Sequence, residues 1–403
     1  MSQSTDLDLT SSRFKANPFS AFARLRTENP IYELSSSNGQ RTWLVSRYRD
    51  VETVLRDDRF IKEQQTLLSH EERAHPTTAS ADDLFSLGLG KFDPPNHTRL
   101  RTLVNPFFTP RQIELWRDRI QEITDALIDG LVERGSMDLL EDLAFPLPLT
   151  VILEMLGMPA EDNVQLHSWT KQIVDALDDP AAFEQVGAQL EAYHAYLWAL
   201  VQRKRENPAQ DMITQLLQPD AQGDRLSDRE LVAMIFLLIM AGYQTTGCLI
   251  GNGMLALLTH PEQMALLQQD PTLIKSAIEE FLRFRSPLML GTYSWAREDI
   301  EWGGQLIRRG DLVLVALAAA NRDETEFENP DTLDITRTEN RHLAFSKGVH
   351  YCLGAPLARL EGQIAISTLL RRLPQMRLQT PAEDLVWRPG AMILGVHHLP
   401  VVF

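Results

Sequence analysis

One stretch decides how the fold is interpreted: Phe345-Ser346-Lys347-Gly348-Val349-His350-Tyr351-Cys352-Leu353-Gly354. It joins a glycine-bounded loop to a predicted helix over residues 355–370, in which Pro356 lies in the first turn, where its missing N–H does no harm. Cys352, one of only two cysteines, therefore stands at a helix N-terminus. Unpaired backbone donors and the positive end of the helix dipole both favour a thiolate there. The stretch therefore predicts a cysteine that binds a soft metal.

The spacing Phe-x-x-Gly-x-His-x-Cys-x-Gly, followed by a helix, resembles the haem-ligand loop of the cytochrome P450 family. A lone cysteine is more often a small buried side chain without chemistry, so the prediction depends on the whole pattern. The resemblance implies that the chain binds haem b with Cys352 as the metal ligand. It also implies that Phe345 packs on the ring and that Gly354 belongs to the same cofactor site.

Composition argues against several classes of protein. The 403 residues are 44% hydrophobic, enough for a large core, and the net charge is −16. Phosphate binding needs a basic field, so no nucleic-acid partner is expected. Residues 1–12 lack the pattern of a signal peptide and are expected to form a disordered tail before a single domain at 13–403. The longest apolar run, 231–242, is shorter than the ~20 residues that span a bilayer. A cytoplasmic protein without membrane contact is therefore expected.

Hydrophobic periodicity predicts a mainly α fold with small β-sheets. Helical spacing dominates residues 110–217, and the capping box Ser227-x-x-Glu230 opens an apolar helix of about 30 residues. Alternating residues at 31–34, 42–45 and 288–307 predict antiparallel strands. The resemblance implies the single-domain P450 fold, a triangular prism with the long helix crossing over the haem. Glycines inside that helix predict either a close neighbour, for which a flat macrocycle is one candidate, or a distortion of the helix: Gly242, Gly247, Gly251 and Gly253.

Hydroxyl groups interrupt the long helix at Ala241-Gly242-Tyr243-Gln244-Thr245-Thr246. A threonine in a helix more often bonds back to the preceding turn. The block resembles the oxygen-activating segment of the family, which implies that Thr245 and Gln244 are catalytic and that Ala241 borders the haem. Gln244 replaces the usual acid, and a carboxamide cannot carry a proton as a carboxylate does. Proton delivery by water, Thr245 or substrate, slow or uncoupled turnover, and use of peroxide all stay open.

Basic residues at separate places are candidate partners for the haem propionates. His97 and Arg101 lie four apart on the helix that follows the Asp-Pro-Pro segment 93–95 and can reach the same anion. Taken alone, the pair is as easily a solvated helix start, and Arg297 an exposed strand residue. The resemblance implies that these residues and His350 contact the propionates, which need charged or bidentate partners.

Glu280 and Arg283 lie three apart on one face of a predicted helix. Such a pair is common and carries little information by itself. With Arg337 it resembles the structural Glu-Arg-Arg triad that supports the thiolate loop in the family, so a packing role is assigned.

The resemblance implies a monooxygenase that inserts one oxygen atom of O2 into a hydrophobic small molecule, by hydroxylation or epoxidation of a lipid, terpenoid or polyketide. A peroxide-driven peroxygenase and a non-catalytic haem-binding sensor or carrier are the alternatives. Apolar segments supply the expected pocket, although each residue could equally be core: Leu84, Leu89, Leu238, Ala241, Leu288, Leu290, Thr292, Ile393 and Leu394.

Electrons are expected to arrive from another protein, because the chain shows no flavin or iron–sulfur segment. The expected partner is a separate ferredoxin or flavodoxin with an NAD(P)H-dependent reductase, and the chain is expected to be a monomer. A local basic patch for docking is predicted at Lys347, Arg111 and Arg359.

Overall fold

The computed structural model describes residues 7–34, 39–67, 80–177 and 180–403. Within them the helices are α1 (Ser12–Ala16), α2 (Phe19–Glu28), α3 (Tyr48–Val54), α4 (Asp83–Ser86), α5 (Asn96–Val104), α6 (Pro110–Glu114), α7 (Arg117–Asp129), α8 (Pro146–Leu156), α9 (Asn163–Ala176), α10 (Pro180–Gln185), α11 (Gly187–Glu206), α12 (Met212–Leu216), α13 (Asp228–Thr259), α14 (Pro261–Gln269), α15 (Ile274–Phe284), α16 (Leu317–Ala320) and α17 (Ala355–Arg372). The strands are β1 (Ile31–Leu34), β2 (Thr42–Val45), β3 (Phe60–Ile61), β4 (Ser136–Asp138), β5 (Ser294–Ala296), β6 (Ile300–Trp302), β7 (Gln305–Ile307), β8 (Leu312–Val315), β9 (Arg377–Leu378) and β10 (Pro400–Val402). The predicted mainly α fold with small sheets is confirmed.

The core is built around α13, which begins at the predicted capping box. The Ser227 hydroxyl accepts the Glu230 N–H, and the Glu230 carboxylate accepts the Ser227 N–H at 2.8 Å. The helix has 32 residues and is long and apolar enough to cross a membrane, but 72% of its most apolar 18-residue window is buried inside the protein. It is therefore a core helix, although its apolar stretch is longer than the dozen residues expected from the sequence.

Neighbouring side chains, and not a cofactor, explain two of the helical glycines. A Cβ at Gly247 would lie 2.3 Å from the Phe145 ring, and one at Gly251 would lie 2.3 Å from Leu140. Both side chains belong to the helical turn immediately before α8, and this turn and α8 pack closely on α13. The predicted close approach is confirmed at these two positions, but side chains make it and not a macrocycle, and of the four helical glycines only Gly242 borders the cavity described below.

The strands form one five-stranded sheet, β1-β2-β8-β5-β3, a three-stranded sheet, β4-β10-β9, and the hairpin β6-β7. The antiparallel pairing of β1 with β2 is confirmed, with Ile31 opposite Val45, while β2 and β8 are parallel. The connecting residues 35–38 lie outside the described residues. In the region 288–307 the predicted sheet is reduced to three strands of three residues each.

Residues 7–12 pack against the body of the protein, so the predicted end of the disordered tail at residue 12 is too late. Leu9 is buried, and the Thr10 carbonyl accepts the Gly390 N–H at 3.0 Å. Ser12 accepts the Trp387 N–H at 3.1 Å. The rest of that predicted tail, residues 1–6, and residues 68–79 of the polar loop 62–90 lie outside the described residues.

Candidate active site

A cavity of about 310 Å³ lies between α13 and the loop that leads into α17. Its walls are mostly apolar, and they bring together residues from distant parts of the chain. The predicted site residues that line it are Leu89, His97, Arg101, Leu238, Ala241, Thr245, Leu288, Thr292, Phe345, His350, Cys352 and Gly354.

Cys352 is held on the cavity wall by a tight loop. Its N–H donates to the Phe345 carbonyl at 2.9 Å, which closes the loop on itself. Gly348 has φ +71°, and a Cβ there would lie 2.4 Å from the Leu55 carbonyl oxygen. Only glycine combines that left-handed conformation with the missing Cβ that this approach requires. The loop sequence therefore sets the position of the sulfur.

The protonation of Cys352 differs from the sequence expectation. Burial raises the pKa of its thiol, although the N–H groups of Gly354 and Ala355 and the charges of Arg101 and Arg359 act in the opposite direction. The helix N-terminus therefore does not by itself produce a thiolate here. A bound metal ion deprotonates a coordinating thiol, so the donors around the sulfur serve to stabilise a ligand rather than to create one.

Two imidazoles at one end of the cavity have buried nitrogens without partners. The rings of His97 and His350 lie 4.3 Å apart, and neither His97 Nδ1 nor His350 Nε2 has a hydrogen-bond partner among the described residues. Burial, followed by the neighbouring His350 and Arg101, lowers the pKa of His97 to about 4. Arg101 donates to the Tyr351 carbonyl at 2.8 Å and lines the same end. A group that carries carboxylates, as haem does, would supply the missing acceptors, so these residues fit it.

Arg297 does not join this cluster. It follows β5, its N–H donates to the Arg59 carbonyl at 2.8 Å, and its side chain is exposed and outside the cavity. The prediction of a propionate contact at Arg297 is therefore not supported, because the strand directs this residue to solvent.

The two predicted catalytic residues face different cavities. The Thr245 hydroxyl lines the apolar cavity and donates to the Ala241 carbonyl at 2.7 Å. Gln244 is buried but lines a separate polar cavity of about 240 Å³ with Lys171, Asp175 and other charged residues. Consecutive helical residues point about 100° apart, and at this step the Gln244 side chain turns away from the cavity that Thr245 lines.

Glu280, Arg283 and Arg337 meet as the sequence predicts. Arg283 donates twice to the Glu280 carboxylate, at 2.7 and 2.8 Å, and Arg337 donates once at 3.2 Å. Arg283 also donates to the Asn321 carbonyl, and the Asn321 side chain accepts the Leu343 N–H at 2.6 Å. This chain of bonds joins the triad to the start of the cysteine loop.

Glu361 is a site residue that the sequence did not reveal. It is completely buried on α17, lines the cavity, and its Oε1 has no hydrogen-bond partner within the described parts of the chain. Burial raises its pKa well above the ordinary value. A glutamate on a helix carries no signal of this environment, so only the packing identifies it.

Four predicted pocket residues are part of the core and do not line the cavity: Leu84, Leu290, Ile393 and Leu394. The backbone at Ile393 and Leu394 is instead held by Lys15 and by Pro287. Apolar character predicts burial but not the side that a residue faces. The cavity-lining residues that were missed include Phe108, Pro148, Ile152, Met234, Leu237 and Leu317.

The predicted basic patch is partly neutralised. Lys347 pairs with Glu52 at 3.2 Å, and Arg359 binds Glu279 with two hydrogen bonds while it covers the Phe345 ring. Arg111 is exposed. The surface beside Cys352 is therefore less basic than the sequence suggests.

Comparison with known proteins places these features in a wider context. A family model described as cytochrome P450 matches residues 8–382. The chain is 43% identical over 392 residues to cytochrome P450 107B1 of Saccharopolyspora erythraea, covering 96% of this chain and 95% of the other. It is also 43% identical over 395 residues to the vitamin D(3) 25-hydroxylase of Pseudonocardia autotrophica, covering 98% and 96%. The solved polyketide synthase cytochrome P450 PksS of Bacillus subtilis superposes with a TM-score of 0.90 at 38% identity and 97% coverage of both chains.

Proposed function

The chain belongs to the cytochrome P450 family and is a haem b-dependent monooxygenase that acts on hydrophobic small molecules, and from this premise we propose that Cys352 ligates the haem iron in the cavity beneath α13. One observation carries the proposal. The same cavity is lined by Cys352 on the loop side, by Thr245 on the α13 side, and by the unpartnered His97 and His350 nitrogens at one end.

When bound, the haem supplies the activation of O2 and the transfer of one oxygen atom to a C–H bond, with the other oxygen released as water. The chain's own residues position and protect that chemistry. The Gly354 and Ala355 N–H groups stabilise the Cys352 sulfur, and Arg101 supplies charge at the carboxylate end. The apolar residues that line the cavity exclude water and contact the apolar surface of the substrate.

Thr245 is the proposed proton-positioning group on the α13 side. Its hydroxyl proton is directed to the Ala241 carbonyl in this structure. Rotation about one bond would redirect the O–H into the cavity at the cost of one hydrogen bond, on the order of 1 kcal/mol. Thr245 can therefore donate its proton into the cavity without a change in the helix.

A spectroscopic screen followed by isotope labelling tests the proposal. We expect vitamin D3, a macrolactone or myristic acid to change the haem absorption band on binding, since each would fill the apolar cavity and displace water from the haem iron. Turnover with NAD(P)H, a surrogate ferredoxin and its reductase under 18O2 should give a product with one labelled oxygen atom. A product labelled only from H2 18O would contradict monooxygenation.

Peroxide-driven turnover is the second candidate, and the side chain of Gln244 favours it. Gln244 stands at the border between α13 and a polar cavity with charged residues, but a carboxamide cannot take up and release a proton there as an acid would. Hydrogen peroxide would already bring both protons and both electrons that reductive activation requires. If this candidate is correct, Gln244→Glu should raise product formed per NAD(P)H consumed while leaving peroxide-driven turnover unchanged. An unchanged yield per NAD(P)H would show that Gln244 does not limit proton delivery.

The substrate is proposed to be a sterol-like, polyketide or fatty-acid molecule. The apolar lining of the cavity supports this class, and two of the similar proteins are named for vitamin D3 hydroxylation and for a polyketide synthase. We further propose that a ferredoxin or flavodoxin supplies the electrons and that the chain is a cytoplasmic monomer. Related family members need redox partners, and an acidic chain with a buried core helix supports a soluble location.

A further inference from the structure

The exposed position of Arg297 leaves one carboxylate of the haem without an assigned cation. Haem carries two carboxylates, and His97, Arg101 and His350 gather at a single end of the cavity. Each carboxylate in a partly buried site needs a charged or multiply donating partner. A second basic group should therefore be close to this end.

Lys62 is a buried lysine at this end of the cavity, immediately after β3. It is only 8% exposed, and its Nζ lies within 3.0 Å of four oxygens that are all uncharged. These oxygens are the carbonyls of Thr292 and Tyr293 and the hydroxyls of Thr292 and Ser294. In the part of the chain that the structure describes, Lys62 Nζ has no hydrogen-bonded carboxylate partner. Burial lowers the pKa of Lys62 to about 8, and nearby Asp93 opposes that shift.

Two contacts place Lys62 beside the haem carboxylates. Thr292, whose hydroxyl accepts from Lys62 Nζ at 2.9 Å, lines the haem cavity. Asp93 accepts the Lys62 N–H, and its carboxylate lies 3.9 Å from His350 Nε2. Lys62 therefore lies directly behind the cavity wall, at the same end as His350.

The geometry also gives the Thr292 hydroxyl a direction. Because its oxygen accepts a proton from Lys62, its own O–H is free to point into the cavity that it lines. We propose that the Thr292 hydroxyl donates to one haem carboxylate and that Lys62 supplies the positive charge behind it. The pair takes the role that the sequence suggested for Arg297.

Haem transfer to apomyoglobin tests the proposal, because its rate does not depend on catalysis. Lys62→Met keeps an unbranched side chain, one atom shorter, and removes the charge. We expect it to release haem about tenfold faster than the wild-type protein, because the hydrogen bond from Thr292 to the carboxylate loses the positive charge behind it. Arg297→Met is the matched control and should stay within about twofold of wild type. Lys62→Met and the wild-type protein should release haem dimethyl ester, which has no free carboxylates, at the same rate.

The proposal is overturned if Lys62→Met releases haem as slowly as wild type, or if its faster release persists with the dimethyl ester. If Lys62→Met does not fold, the release rates of Thr292→Val and Thr292→Ser are compared in the same way. Only Thr292→Val should release haem faster than wild type, and only haem with free carboxylates, not the dimethyl ester. Equal release by these two variants would also overturn it. The inference requires haem in this cavity but no reaction, so a protein that binds haem and forms no product would contradict the proposed function alone.

Discussion

Replacement of Glu280 by glutamine should strongly destabilise the protein, because the carboxylate is the centre of a buried network. Glu280 and Arg283 are both 0% exposed. The carboxylate accepts two hydrogen bonds from Arg283 and one each from Arg337, Asn340 and the Asp334 N–H. Glutamine keeps the shape but removes the charge, and it turns an NH2 group toward donors that then lack an acceptor.

Removing one member of a buried ion pair costs about 3–5 kcal/mol. Because a folded domain is stable by only about 5–15 kcal/mol, Glu280→Gln should lose a large share of that stability. The loss should also reach the cysteine loop, since Arg283 bonds to Asn321, and Asn321 holds the Leu343 N–H.

Urea denaturation of the haem-loaded protein, followed by far-UV circular dichroism and by the haem absorption band, measures both effects. Glu339→Gln is the matched control, because Glu339 pairs with Arg341 on the surface, where both side chains are more than 80% exposed. Exposed pairs contribute about 0–1 kcal/mol. A Glu280→Gln variant that is as stable as Glu339→Gln would refute the structural role of the triad.

Three further predictions follow from single residues. Glu361→Gln should become more stable relative to wild type as pH rises above the ordinary carboxyl pKa, by up to about 1.4 kcal/mol per pH unit until the raised pKa of folded Glu361 is reached. The reason is that in this pH range only the unfolded wild-type chain releases the Glu361 proton. Equal differences in urea stability at pH 5 and pH 8 would contradict this. Gly348→Ala should cost at least about 1–2 kcal/mol in the same assay, through its positive φ and the Leu55 carbonyl, whereas Gly130→Ala, at an ordinary helical φ, should not. Thr245→Val should keep the haem spectrum but lower product formed per NAD(P)H on the order of 10²-fold, the typical contribution of a positioned proton donor; an unchanged yield would remove Thr245 from the mechanism.

Local patterns predicted the features that depend on neighbouring residues in the chain. The capping box at Ser227 and the loop around Cys352 are set by residues a few positions apart, and the pairing of β1 with β2 joins neighbouring segments of the chain. The contact between Glu280 and Arg337 was predicted only by resemblance, since 57 residues separate the two in sequence.

The features that could not be predicted depend on distant contacts. Lys62 meets oxygens about 230 residues away, two of them backbone carbonyls that any sequence would supply. Gly247 and Gly251 indicated a close approach, but only the packed structure shows that Phe145 and Leu140 make it. Gln244 and Thr245 are adjacent in sequence, yet the turn of the helix sends them to separate cavities.

The central claim is that one sulfur atom, that of Cys352, holds the haem iron. Iron X-ray absorption of the purified haem-loaded protein reports directly on the atoms bound to the metal. We expect one sulfur neighbour in the wild-type protein and in Cys248→Ser, whose altered residue is the chain's only other cysteine and is buried away from the cavity. Cys352→Ser should lose that sulfur. A sulfur neighbour that remains in Cys352→Ser, or none in the wild-type protein, would contradict the account.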